Sequence, residues 1–227
     1  PSPGTIKLLE ANQEKIDWAN LSRNPTAIKL LEANREKIHW YYLSGNPAPG
    51  AIKLLEANPE KIHWFMLSQN PAPNAIKLLE ANQEKIDWDW LSRNTAPNAI
   101  KLLEANPDKI YWIWLSQNPS AMKLLEANQE KIEWYMLSGN PSAIKLIEVN
   151  QEKIDWQSLS RNPTSGAIKL LEANHEKIHW DMLSENTASG AIKLLEANQE
   201  KIDWRDLSEN PGAIKLLEAN QEKIDWE

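Results

Sequence analysis

The chain has no cysteine, which excludes disulfides and thiolate metal sites. That absence fits a reducing compartment, a designed sequence or a stable extracellular protein equally well. There is no run of about 18 apolar residues, so no membrane-spanning helix is expected. No charged-then-apolar leader is present at the N-terminus. Glycine is scarce, at 7 of 227 residues, and no Gly-rich phosphate loop can be found. There is one Phe and 4 Tyr against 12 Trp. A skew of that kind arises when one segment is copied many times.

The copies are easy to find once self-similarity is sought. A Trp preceded by Lys-Ile-x recurs at Trp18, Trp40, Trp64, Trp88, Trp112, Trp134, Trp156, Trp180, Trp204 and Trp226. Successive Trp lie 22 or 24 residues apart. Each longer repeat gains two residues after the Asn that follows Leu-Ser-x, as in Asn46-Pro47-Ala48-Pro49-Gly50-Ala51 beside Asn24-Pro25-Thr26-Ala27. The added residues are Pro, Ser, Gly, Ala and Asn, so a surface loop is expected there.

One repeat runs Ala27-Ile-Lys-Leu-Leu-Glu-Ala-Asn34, Arg35-Glu-Lys-Ile38 and His39-Trp40-Tyr-Tyr-Leu43-Ser-Gly-Asn46. The first segment is built of strong helix formers. Asn24 can cap it, Pro25 suits its first position, and Asn34 can end it in a left-handed conformation. Pro59 and Pro107 directly follow that last Asn in their repeats, which marks a break. Trp40–Asn46 reads as a second, shorter helix with Trp40 and Leu43 on one face. Asp17 and Asp87 suit its N-cap. Lys37-Ile38-His39 is a short, extended link.

Ala27, Ile28, Leu30, Leu31, Ala33, Ile38, Trp40 and Leu43 are the recurring apolar positions. Two short helices cannot bury all of these alone, but stacking on both neighbours can. The expected fold is therefore an all-α solenoid of ten stacked repeats, forming one domain over residues 1–227. The period also falls in the leucine-rich-repeat range. An α/β solenoid with a short strand at Lys-Ile-x is the alternative. The array starts without Met and stops mid-repeat, as a trimmed or processed fragment would.

The motif Leu-Ser-x-Asn-Pro-x-Ala-Ile-x-Leu-Leu-Glu-x-Asn-x-x-Lys-Ile-x-Trp, of which Asn118-Pro119-Ser120-Ala121 to Trp134 is a typical stretch, resembles uncharacterised tandem repeats in proteins of large DNA viruses of algae and amoebae. The resemblance covers essentially the whole chain and implies no catalytic residues. The near-perfect regularity and the two-residue insertions point to a consensus-like or designed derivative, or a recent duplication.

All 20 Lys fall in two columns of the repeat, matched by twenty acids. Lys29 and Glu32 are spaced to pair on a helix, and these columns read as a solvated charged face. The remaining 5 Arg face 12 acids, which gives the net charge of −7. Eight of those acids lie from Asp155 onward, among them Asp181, Asp203, Asp206 and Asp225. With no basic stripe for phosphates, a nucleic-acid partner is not expected.

His175-Glu176-Lys177-Ile178-His179 matches the H-E-x-x-H zinc-hydrolase signature, a minor alternative. Zinc chemistry would need both His on one helical face. His175 stands where Pro59 and Pro107 stand in their repeats, so a turn is expected instead. No cofactor is indicated. His39 and His63 share a column in adjacent repeats and could approach each other. The Ser after each Leu, as in Ser22, Ser44 and Ser92, is architectural and bonds local backbone.

Three columns vary within the frame: the residue before each Trp and the two after it. They hold Tyr41, Tyr42, Phe65, Met66, Trp90, Tyr111, Ile113, Trp114, Tyr135 and Met136. Stacked, these make either an exposed apolar stripe that binds a protein or peptide, or part of the core between short helices. A non-catalytic scaffold with such a face is the first functional reading. A structural rod or filament former, self-associating end to end, is the second.

Overall fold

A computed structural model describes residues 11–226. The protein is an all-α solenoid, and among the described residues no strand is formed. The strand alternative at Lys-Ile-x is thereby excluded. Ile62 and His63 are extended but lie between helical elements without a ladder. The chain forms two compact blocks, one ending at Trp114 and one starting at Leu115. Each block is a stack of the same repeat.

One repeat of the first block shows the plan. A helix over Pro49–Glu56 is followed by a 3-10 turn over Pro59–Lys61 and a short helix over Trp64–Ser68. The 3-10 turn recurs in every repeat and adds a third element to the two expected. Ala51, Ile52, Leu54 and Leu55 are buried, with Leu67 from the short helix. Each fully buried Leu contributes about 1.5–3 kcal/mol. Three positions expected in the core lie elsewhere. Ala33 is exposed, Ile28 is half-buried, and the repeated Trp from Trp18 to Trp204, Trp40 among them, are half-buried.

The Asn that ends the long helix does so without a left-handed backbone. Asn58 has φ −140° and ψ 63°, and no non-glycine residue has positive φ among those described. Its side-chain amide instead donates to the Leu54 carbonyl at 2.8 Å. Asn34, Asn82 and Asn106 donate likewise to Leu30, Leu78 and Leu102. The orphan carbonyl is satisfied from the side chain, which leaves the backbone in ordinary space. Its own carbonyl then accepts from Lys61 N–H at 3.0 Å, opening the 3-10 turn.

The other Asn column does not cap the long helix. Asn24 Oδ1 accepts from Thr26 N–H at 3.0 Å, a tight Asx turn, and the helix starts only at Ile28, after Pro25. Asp17, Asp87, Asp155 and Asp203 do cap the Trp helices, each accepting from backbone amides. The amide of Asn20 holds the Asp17 carboxyl below its ordinary pKa.

The two-residue insertions lengthen the helix rather than forming a loop. Helices over Pro49–Glu56, Pro73–Glu80 and Pro97–Glu104 begin inside the inserted segment, whereas the shorter repeats start at Ile28, Met122, Ile144 and Ile214. Pro at the first helical position needs no N–H partner there. Gly50 and Gly166 sit where a Cβ would lie 2.6 and 2.5 Å from Cγ2 of Ile28 and Ile144 in the preceding repeat. Gly50→Ala and Gly166→Ala should each destabilise by about 1–3 kcal/mol through overpacking. Urea unfolding followed by circular dichroism checks this, and a helix-propensity gain in its place would contradict it.

Two polar ladders hold successive repeats in register. Ser44 Oγ donates to its own helix at Trp40 O, 2.8 Å away, and accepts from His63 N–H of the next repeat at 3.0 Å. Ser68 does the same with Trp64 O and Asp87 N–H. Asn70 Nδ2 donates back to Ser44 O and Asn46 O, both at 3.0 Å, while its Oδ1 accepts from Ala72 N–H. Asn94 repeats that pattern one step on. The second block carries the same ladder through Asn162, Asn186 and Asn210. These Asn and most of these Ser are buried, and among the described residues no buried side-chain polar atom lacks a partner.

Candidate functional site

The variable columns flank the Trp helix. Leu67 and Ser68 turn inward, which leaves the residue after Trp outermost and the next one on the shoulder of the stack. Phe65 and Tyr135 are accordingly 38% and 45% exposed, and Tyr111 is exposed before its Trp. Tyr41 and Ile113 are half-buried. In the shoulder column, Tyr42, Met66, Trp90, Trp114 and Met136 are all half-buried. They are neither free surface nor core: one side of each packs while the other meets solvent.

The rings of the first block meet in local groups. Tyr42 lies 4.6 Å from His39 and 5.2 Å from Tyr41, centroid to centroid. Tyr41 meets His63 of the next repeat edge-on at 5.4 Å, so Tyr41 links the two His-bearing repeats. Phe65 meets Trp90 edge-on at 5.2 Å, and Tyr111 lies 6.4 Å from Trp114. Such edge-to-face pairs add about 0.5–1.5 kcal/mol each beyond area burial.

A fourth column, the residue after Leu-Ser, completes the surface. Arg23 Cζ sits 3.8 Å from the centre of the Tyr42 ring. Arg93 lies between Trp90 and Trp114, at 4.6 and 4.4 Å. Gly45 leaves room for Met66, since a Cβ there would be 2.7 Å from its Cε. Gln69 Nε2 reaches Met66 Sδ at 3.8 Å. Gln69, Trp90, Arg93 and Asn94 line a shallow cavity of about 220 Å³. The signal for this column was its variation, from Arg23 through Gly45 and Gln69 to Arg93, within an otherwise constant Leu-Ser-x-Asn.

No protein-family model, curated protein or solved structure matches the chain.

In the second block the same columns become polar. Tyr135 gives way to Gln157, Asp181 and Arg205, and Met136 to Ser158, Met182 and Asp206, of which Met182 alone is apolar. Arg161 grips Glu185 through two hydrogen bonds, Nε–Oε2 at 3.1 Å and Nη2–Oε1 at 2.8 Å. Through Trp114 the chain has 13 Lys and Arg against 13 Asp and Glu, and from Leu115 it has 12 against 19. The whole net charge therefore resides in the second block. There, partial burial and then the charges of Asp203, Glu185 and Asp181 raise the pKa of Asp206. A raised folded-state value means that stability falls as pH rises through the window above the ordinary carboxylate range.

The remaining sequence motifs resolve as parts of the frame. His175 lies in the 3-10 turn His175–Lys177 with its ring 5.1 Å from Trp180, while His179 precedes the next helix. The two do not share a helical face, as H-E-x-x-H chemistry would require. Among the described residues no group of three His, Asp or Glu is placed to hold a metal ion. No described helix is long and apolar enough to cross a membrane. Lys29 and Glu32 make no ion pair; close pairs among the described residues include Lys109–Asp108 and Arg161–Glu185. The Lys column before Ile has another role. Lys153, Lys177 and Lys223 place Nζ 4.9, 4.7 and 4.5 Å from the ring centres of Trp134, Trp156 and Trp204 of the preceding repeats.

Proposed function

We propose that this chain is a non-catalytic repeat scaffold, kin to the viral tandem repeats it resembles, that binds a protein or peptide along the variable columns of its first block. The observation that carries this reading is the set of neighbouring rings along that face: Tyr41 with Tyr42 and His63, Phe65 with Trp90, and Tyr111 with Trp114. Half-buried aromatics are pre-oriented by their neighbours, so docking against them costs little side-chain entropy. Trp, Tyr and Met are also the usual anchors of protein interfaces.

Selection from a random peptide library on the intact chain tests it. Specific peptides should be enriched, and the enrichment should vanish in the Tyr42→Ser, Met66→Ser, Trp90→Ser variant. Ser158 already occupies this column within a formed repeat, so the frame accepts Ser there. Enrichment that survives the triple variant, or none on the parent chain, overturns the proposal.

A further inference from the structure

We infer that the partner of the first-block face is an extended acidic peptide, with two carboxylate side chains about eight residues apart and apolar residues between them. This rests on the binding face proposed above and assigns its chemistry.

The molecule itself displays how the fourth column holds a carboxylate. Arg161 takes Glu185, one repeat on, in a two-bond fork. Arg23 and Arg93 occupy the same column, but the residues one repeat on are Gly45 and Gln117. Neither Arg has a carboxylate within 4 Å among the described residues, and that includes Asp89, four residues before Arg93 on the same helix.

Each guanidinium nonetheless rests over aromatic rings. Arg23 stacks on Tyr42, and Arg93 is held between Trp90 and Trp114. Stacking occupies the faces of the guanidinium and leaves its edge N–H groups pointing along the plane, the direction from which a carboxylate is received. A pre-oriented, unpaired fork is a binding element, because the partner does not have to order it.

Charge decides between the blocks. The first is neutral by count, whereas the second carries seven more acids than bases. An acidic peptide is repelled by the second and accepted by the first.

Spacing sets the length. Arg23 and Arg93 are three repeats apart. At about 8–10 Å between stacked helices they stand roughly 25–30 Å apart. An extended chain advances about 3.3 Å per residue, hence an interval of about eight residues. Between the two Arg lie Tyr42, Met66 and Trp90, with the shallow cavity beside Trp90, which suits apolar side chains.

The test uses random peptides of roughly a dozen residues displayed against the intact chain. Recovered peptides should carry Asp or Glu pairs at that interval, flanking apolar residues. Synthetic copies should bind at least about tenfold more weakly to Arg23→Gln, Arg93→Gln, as expected for losing charge-assisted bonds. Arg161→Gln should leave binding unchanged. Circular dichroism melts of all variants separate lost binding from lost fold. Peptides without acids, or acidic peptides held equally by the double Gln variant, overturn this inference while leaving the binding face standing. Peptides indifferent to the Ser triple variant remove both.

Discussion

Asn70→Ala should cost about 3–5 kcal/mol, as should the same change at Asn94, Asn162, Asn186 or Asn210, which make the same bonds. The Asn70 side chain is 1% exposed and makes three bonds, two donated to Ser44 O and Asn46 O and one accepted from Ala72 N–H. Alanine leaves these three backbone groups without that partner in a place water does not reach. Each unsatisfied buried group costs about 1–3 kcal/mol. Asn82→Ala is the control. Asn82 belongs to the other Asn column, is half-buried, and gives one side-chain bond to Leu78 O, so about 1 kcal/mol is expected. Urea unfolding of the two variants compares them directly. Equal losses would mean that the ladder adds nothing beyond ordinary helix capping. Because each repeat contacts only its neighbours, Asn70→Ala should also broaden the transition by uncoupling the stack locally.

The second large effect is expected at Leu67→Ala, about 3–4 kcal/mol. Leu67 is fully buried on the inner side of the Trp64–Ser68 helix, and its loss leaves a cavity in the core. Trp64→Ala should cost less, about 2 kcal/mol, although Trp64 is larger and belongs to the most conspicuous column of the repeat. Trp64 is half-buried, so much of its surface already meets water in the folded state. A larger loss at Trp64 than at Leu67 would show that the Trp column, not the Leu column, is the core.

The local features of the fold were legible in the sequence. The helix formers before Asn34, the breaks at Pro59 and Pro107, and the Asp caps before Trp are each decided within a few residues, and the structure forms them. What was hidden depends on distance along the chain. The Asn ladder bonds groups 22 to 26 residues away, which no local pattern announces. The same separation concealed the second bond of each Ser, to the following repeat. Two columns of Asn look identical as letters, yet one closes a helix and the other joins repeats.

The insertions misled for a chemical reason. Pro followed by Gly reads as a turn, but a Pro with φ near −65° also starts a helix, and here the Ile of the preceding repeat leaves no room for a Cβ at Gly50 and Gly166. At the candidate site, the three columns beside Trp were visible as variation in a constant frame. Their half-burial was not, because it depends on the angle at which each short helix meets the next. Arg23 and Arg93 were passed over because, counted with the other charges, they looked like surface balance. Only their stacking geometry distinguishes them from it.

The inter-repeat bonds of Ser and Asn go almost entirely to main-chain groups: a helix carbonyl, a neighbouring amide, the carbonyl of another Asn. The frame therefore does not consult the side chains it displays. Repeats exchanged in phase can restore these bonds, provided that a Gly still meets the Ile of a shorter repeat, as Gly50 meets Ile28. A gene of this kind can rewrite its outer lettering by recombination between its own copies, each new spelling inheriting a fold that is already solved.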